Sequence, residues 1–224
     1  YYGQRNVKLL GTYDYNNMLP APGPLQPRRP YQPFSSISAP NVPMYQSASH
    51  QLQGGIQKRY SNGLLLSVEY QFVRAIGTES FMSQSWNWND SRGNLSNVRK
   101  HNFTAAYAYD LPFGKGRPLV SKASGPVNML VGGWQIAGIL YAMSGAPFSP
   151  SCSTSTQGAV PSRPDVVQGA AVYPSTRTIT NYFNGTAFSK PADFTYGNAS
   201  YNLLWGPGRW SWDARLIKKF GLKE

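Results

Sequence analysis

The stretch from His101 to Pro118 constrains the chain most. His101, Phe103, Ala105, Tyr107, Tyr109 and Leu111 fall on one side of a period-2 pattern, and Asn102, Thr104, Ala106, Ala108 and Asp110 fall on the other. Alternation sustained over this length specifies a β-strand. One face is aromatic and apolar; the other is small and polar and carries a carboxylate. A soluble sheet buries its aromatic face beneath a second layer. An outer-membrane barrel turns it toward lipid and turns the polar face toward the lumen. The following Pro112-Phe-Gly-Lys-Gly-Arg-Pro118 ends the strand, because proline lacks the ladder donor and glycine weakens pairing.

The same pattern recurs. Leu52, Ile56 and Tyr60 share a face with Gly54 and Lys58, opposite Gln51, Gln53, Gln57 and Arg59. Ser61-Asn62-Gly63 is a tight hairpin turn. Leu64, Leu66, Val68, Tyr70 and Phe72 continue the apolar side, with Ser67, Glu69 and Gln71 opposite. Near the end, Trp210, Trp212, Ala214, Leu216 and Phe220 alternate with Ser211, Asp213, Arg215 and Lys219, and Lys218 interrupts the apolar side. Residues 131–144 predict a further strand, although both of its faces are apolar or glycine. Val7, Leu9, Tyr13 and Tyr15 suggest a short strand near the start, which Leu10 breaks.

The connections have a direction. After Tyr60 come a short turn, a long polar loop from Gly77 to Lys100, a basic turn from Pro112 to Asn128, and a very long connection from Phe148 to Arg209. Minor strands are expected in that last connection near 170–173 and 178–183. Short and long ends alternate, as in an up-and-down meander with its long loops on one side. Tyr60, Tyr107, Tyr109, Phe113 and Trp134 lie near the short-turn end. Tyr70, Phe72, Tyr141, Trp210 and Trp212 lie near the other. Paired aromatic rows are what two membrane interfaces select.

The expected fold is therefore all-β, an antiparallel meander forming part of a transmembrane barrel. Its expected divisions are a Pro-rich loop region at 1–44, core strands at 45–145, a long loop at 146–209 and a strand at 210–224. Composition agrees: aromatics are 14% and charged residues 13% of the chain, the latter about half the level of soluble domains. No apolar run is long enough for a transmembrane helix. Lys and Arg number 21 against 9 acidic residues, a net charge of +12. That balance suits a polyanionic neighbour such as lipopolysaccharide or an acidic glycan. Nucleic acid is the usual guess for such a charge but is not the expectation for this chain.

Chemistry-bearing patterns are sparse. Cys152 is the single cysteine and has no obvious base beside it. His50 and His101 are the two histidines, without metal-ligand spacing. Gly114-Lys115-Gly116 lacks the spacing of a phosphate loop, and no nucleophile elbow occurs. Neither an enzyme, a cofactor nor a metal is expected.

The ordered set Lys58-Arg59-Tyr60-Ser61-Asn62-Gly63 through Glu69-Tyr70, then His101 with Tyr109-Asp-Leu-Pro-Phe-Gly-Lys-Gly-Arg117, Gly132-Gly-Trp-Gln-Ile136, Ser144-Gly-Ala-Pro-Phe148 and Gly206-Pro-Gly208 with Asp213-Ala-Arg215-Leu-Ile-Lys218-Lys-Phe220 resembles the barrel of Oar-like TonB-dependent receptors. The resemblance runs from about Tyr45 to the end. It implies a transporter that moves a bulky substrate when an inner-membrane motor of the TonB type acts on its plug. The family's carboxypeptidase-regulatory-like domain, plug and final strands have no counterpart in these residues. The chain is thus expected to be a wall segment of a larger barrel, contacting the energy-transducing complex only through a missing N-terminal region.

On that reading the lumen-facing residues are Gln51, Gln53, Gln57, Glu69, Gln71, Asp110, Asp213 and Arg215. The lipid face and its aromatic belt comprise Tyr60, Tyr70, Phe72, Phe103, Tyr107, Tyr109, Trp210 and Trp212. Ligand contact would fall to Trp86, Trp88, Arg92 and the region of Cys152. Two other classes compete. One is a soluble basic β-sandwich that binds acidic glycan or another polyanion. The other is an extracellular β-protein that self-associates through open strand edges.

Overall fold

The computed structural model describes residues 1–78, 91–153 and 163–220. Trp86 and Trp88 lie outside the described residues. One antiparallel sheet dominates, built from β1 (Tyr2–Asp14), β2 (Ser38–Ser61), β3 (Leu64–Thr78), β5 (His101–Asp110), β6 (Trp134–Met143) and β11 (Arg209–Lys218). They lie in the order β1-β2-β3-β5-β6-β11, and β4 (Arg92–Asn94) adds to the end of β3. Neighbours in sequence are neighbours in space, so this is an up-and-down meander. The sheet is open: no described strand pairs the outer edge of β1 or of β11.

The pairing register carries the period-2 pattern across strands. Leu64, Leu66, Val68, Tyr70 and Phe72 stand opposite Tyr109, Tyr107, Ala105, Phe103 and His101. Ile136, Leu140 and Ala142 of β6 meet Tyr109, Ala105 and Phe103, and Leu216, Trp212 and Trp210 of β11 continue these rows. One face of the sheet is therefore apolar from β2 to β11. Leu52, Ile56, Trp210, Trp212 and Leu216 are between 55% and 70% exposed, so no second sheet or helix covers it among the described residues. A sandwich would have shut these side chains away.

β5, β6 and β11 are each 10 residues long. At ~3.3 Å per residue and a ~40° tilt, they rise about 25 Å, the height of the apolar band of a membrane barrel. The helix α1 (Gly125–Val131) is short, and no described helix is long and apolar enough to cross a membrane.

The β2–β3 turn contains only Asn62 and Gly63, with φ of 52° and 78°. Left-handed backbone at both positions is the two-residue hairpin whose twist matches its strands. Just before it, Lys58 pairs with Leu66 but Ser61 pairs with Leu64, so one surplus residue sits in β2. Such a bulge reverses the facing of the residues between it and the turn.

Three connections lie at the opposite end: 15–37, the chain between β3 and β5, and 144–208. The first strand is longer than its sequence suggests. β1 pairs with β2 from Tyr2 to Asp14, through register shifts around Leu9 and Leu10. β2 already begins at Ser38, within the Pro-rich segment. Residues 144–208 hold two-residue strands: β7 (Pro147–Phe148) with β10 (Leu204–Trp205), and β8 (Asp165–Val166) with β9 (Phe188–Ser189). The strands expected at 170–173 and 178–183 are bends and irregular backbone instead. Tyr173 there serves as a tie, accepting from the Trp205 amide at 2.6 Å.

The core lies at this loop end, where Met18, Met44, Tyr45, Val73, Ala75, Ala187, Ala199 and Leu204 are buried. Val73 and Ala75 continue the polar face of β3, and a Cβ on Gly77 would stand 3.0 Å from the Leu95 side chain. The connections thus fold over the polar face. Asn202 locks them by exchanging bonds with Asn94, at 2.7 and 2.8 Å, and by donating its amide to Ser149 Oγ at 2.9 Å.

Candidate functional site

The polar face follows from the same register. Gln53 stands opposite Gln71, Gly55 opposite Glu69 and Gln57 opposite Ser67. Gln71 pairs with Asn102 and Glu69 with Thr104. Asp213 meets Ile139, and Arg215 meets Ala137. Gln51, Gln53, Gln57, Glu69, Gln71, Asp110, Asp213 and Arg215 therefore share one surface. An amide ladder crosses it: Gln71 Nε2 donates to Gln51 Oε1 at 3.0 Å, and Asn102 Nδ2 donates to Gln71 Oε1 at 3.5 Å.

This surface is not uniformly polar. Leu65, Ala106, Ala108, Ala137 and Ile139 line a shallow hollow of about 480 Å³, rimmed by Asp213 and Arg215. Ile139 and Tyr141 belong to the polar face, which is why residues 131–144 show no clean alternation. Tyr141 pairs with Thr104 and Ser211 and so leaves the aromatic row expected for it.

The short-turn end is organised by Asp110. Its carboxylate accepts from the Tyr60 hydroxyl, from Gln135 Nε2 at 2.8 Å, from Arg117 at 3.3 Å and from Lys219 at 3.3 Å. These donors come from β2, β6, the β5–β6 connection and the residue after β11. The bulge in β2 is what brings Tyr60 here. Tyr60 was expected in the lipid-facing belt; the surplus residue turns it to the polar side. Nothing in the alternation signals the bulge. The convergence of donors on Asp110 needs the three-dimensional register to be seen.

The other belt residues share the apolar face. Tyr70 and Phe72 surround His101, whose Nδ1 lies 2.7 Å from the Tyr70 hydroxyl. On β5, Tyr107 lies across Gly138, and Trp212 Nε1 donates to its hydroxyl at 2.9 Å. A Cβ on Gly138 would approach that hydroxyl to 2.9 Å and the Asp213 carbonyl oxygen to 2.5 Å. Glycine is required there so that two aromatic polar atoms, otherwise stranded on an apolar surface, can satisfy each other. Lys218, the interruption in β11, sits 4.9 Å from the Trp134 ring centroid and donates to Leu130 O at 3.1 Å and to Gly132 O. Its stem covers apolar surface while its ammonium reaches the end of α1.

Arg92 lies on β4 opposite Thr78. Cys152 lies beside Phe148, Phe183 and Phe188. Burial, reinforced by Asp165, pushes its thiol above the ordinary cysteine range, which lowers thiolate content and does not suit a nucleophile.

A family model described as "Outer membrane beta barrel domain" matches residues 1–224. No curated protein matches the chain, and no solved structure does.

Proposed function

The chain belongs to the outer membrane beta-barrel domain family, which places it in the bacterial outer membrane, and from that premise we propose that it is a wall segment of an Oar-like TonB-dependent transporter. The observation that carries the reading is the division of one sheet into two surfaces. One is apolar across five adjacent strands, exposed on β2 and β11 and half-exposed on β5 and β6, with tyrosine and tryptophan toward its ends. The other is an amide- and carboxylate-bearing surface over which the long connections fold. Lipid wets the first, and an aqueous passage wets the second. The polar surface supports movement of a bulky, partly apolar solute: glutamines give exchangeable hydrogen bonds, and the hollow at Ala106, Ala108 and Ile139 gives room. In this reading the wall performs no bond chemistry.

Single cysteines at Tyr107 and Ala108 test the partition in the full-length protein. These positions are adjacent and face opposite ways. A membrane-impermeant thiol reagent added from water is expected to label the Ala108→Cys variant and spare the Tyr107→Cys variant, whereas a lipid-resident spin probe should broaden only the latter. Equal labelling from water sinks the assignment. The energised step is tested separately. Collapsing the proton-motive force is expected to stop solute accumulation in cells while leaving surface binding unchanged. Accumulation that persists removes the TonB-dependent reading and leaves a passive barrel.

A further inference from the structure

We propose that the apolar side of the sheet, just beyond its aromatic row at the long-loop end, is a docking surface for the phosphorylated headgroup of a membrane lipid, held by Arg5, Arg74 and Arg92. The inference rests on the lipid-facing reading of that side. Arg74 is two residues beyond Phe72 on the same face and stands opposite His50. Arg5 stands opposite Ala48, Ala48 opposite Ile76, and Arg92 opposite Thr78. Arg5, Ala48, Ile76 and Arg92 line one hollow of about 420 Å³ on this part of the sheet.

The three guanidinium groups are exposed, while Val73 and Ala75, on the opposite face, are only 7% and 4% exposed. The arginines therefore point away from the folded connections. Among the described residues none of the three has a hydrogen-bond or ion-pair partner, and Glu69 lies on the other face. Cations on one patch without a counterion among the described residues suit an anion from outside the sheet.

Depth and shape favour a lipid over a free anion. Two residues along a tilted strand lift Arg74 about 5 Å above Phe72, into the headgroup zone that flanks a ~30 Å hydrocarbon core. Arg5 and Arg92 stand roughly 5–10 Å higher, at the outer rim of that zone. Below them, Leu52, Tyr70 and Phe72 offer apolar surface where acyl chains would lie. His50 stands level with Arg74 and His101 level with Phe72, with Nδ1 atoms 2.5 Å from the Tyr1 hydroxyl and 2.7 Å from the Tyr70 hydroxyl. A guanidinium presents paired donors matched to phosphate oxygens and sheds water more readily than an ammonium.

The test uses the full chain in nonionic detergent micelles doped with phosphatidic acid, or with diacylglycerol of the same acyl chains as a phosphate-free control. Wild-type protein is expected to bind phosphatidic acid more tightly than diacylglycerol, with an affinity that falls as salt is added. The Arg5→Gln/Arg74→Gln/Arg92→Gln variant is expected to lose about tenfold or more for phosphatidic acid and nothing for diacylglycerol. An Arg177→Gln variant in the long connection should behave as wild type. Retention of phosphatidic acid affinity by the triple variant overturns the proposal. So does displacement of phosphatidic acid by millimolar inorganic phosphate, which would make the patch a site for soluble anions. If diacylglycerol fails to bind wild-type protein at all, the lipid-facing reading itself falls, and with it the proposal built on it.

Discussion

Replacing Asp110 by alanine is expected to destabilise the protein by about 2–3 kcal/mol, measured by urea unfolding from lipid vesicles. The carboxylate is the common acceptor for Tyr60, Gln135, Arg117 and Lys219. Its side chain is 11% exposed, whereas Arg117 and Lys219 are 45% and 56% exposed. The two ion pairs are therefore screened and contribute little individually. Most of the loss comes from removing an acceptor on which four separate segments converge. The Asp110→Asn variant keeps the shape and an acceptor oxygen and is expected to lose about half as much. Geometry supplies a second readout: with the connection 111–133 untied, trypsin should cut at Lys115 or Lys122 faster than in wild type. Unchanged stability together with unchanged cleavage would show that these contacts are incidental.

The Gly138→Val substitution is expected to have the larger effect, about 3 kcal/mol or more. A side chain there meets the Asp213 carbonyl oxygen of β11 and the Tyr107 hydroxyl of β5 together. Either β6 and β11 move apart, which weakens a ladder with nowhere else to pair, or Tyr107 swings away. The second outcome strands the Trp212 N–H and the Tyr107 O–H in hydrocarbon, where no water can replace the lost bond. Trp212 gives the assay its own reporter, because loss of its hydrogen bond to Tyr107 should shift its emission. The Tyr107→Phe variant separates the two causes: it breaks the bond without crowding and is expected to cost about 1 kcal/mol. If Gly138→Val unfolds at the wild-type urea concentration, the close crossing at this position is of no consequence.

How legible all this was in the sequence depended on the element. β5 and the β2–β3 hairpin were plain, because in each a strict alternation ends at residues that cannot continue a ladder. The Pro-Phe-Gly run after Asp110 and the Asn62-Gly63 pair provide those ends. β6 was blurred for a physical reason. Gly138 yields its place on the apolar face to the ring of Tyr107, while Ile139 and Tyr141 put large side chains on the polar face. β1 was half-hidden because its register shifts near Leu9 and Leu10 break the period. The bulge before Ser61 was invisible, since a surplus residue leaves no mark in composition, and it moved Tyr60 from one surface to the other. The membership of the polar face was thus readable residue by residue, but the clasp around Asp110 was not. Its donors stand up to 109 positions from Asp110 and meet it only once the register is set.

The open margins of the sheet have a consequence for the order of events during biogenesis. Among the described residues no strand pairs the outer side of β11, which presents a row of amide and carbonyl groups over a length that matches the hydrocarbon thickness. Leaving such a row bare in lipid costs several kcal/mol for each unmet group. In water the same row recruits whatever strand it meets first. The seam must therefore be matched with its proper neighbour before the strand loses contact with water, so correct assembly is decided at the moment of insertion rather than by any later rearrangement within the bilayer.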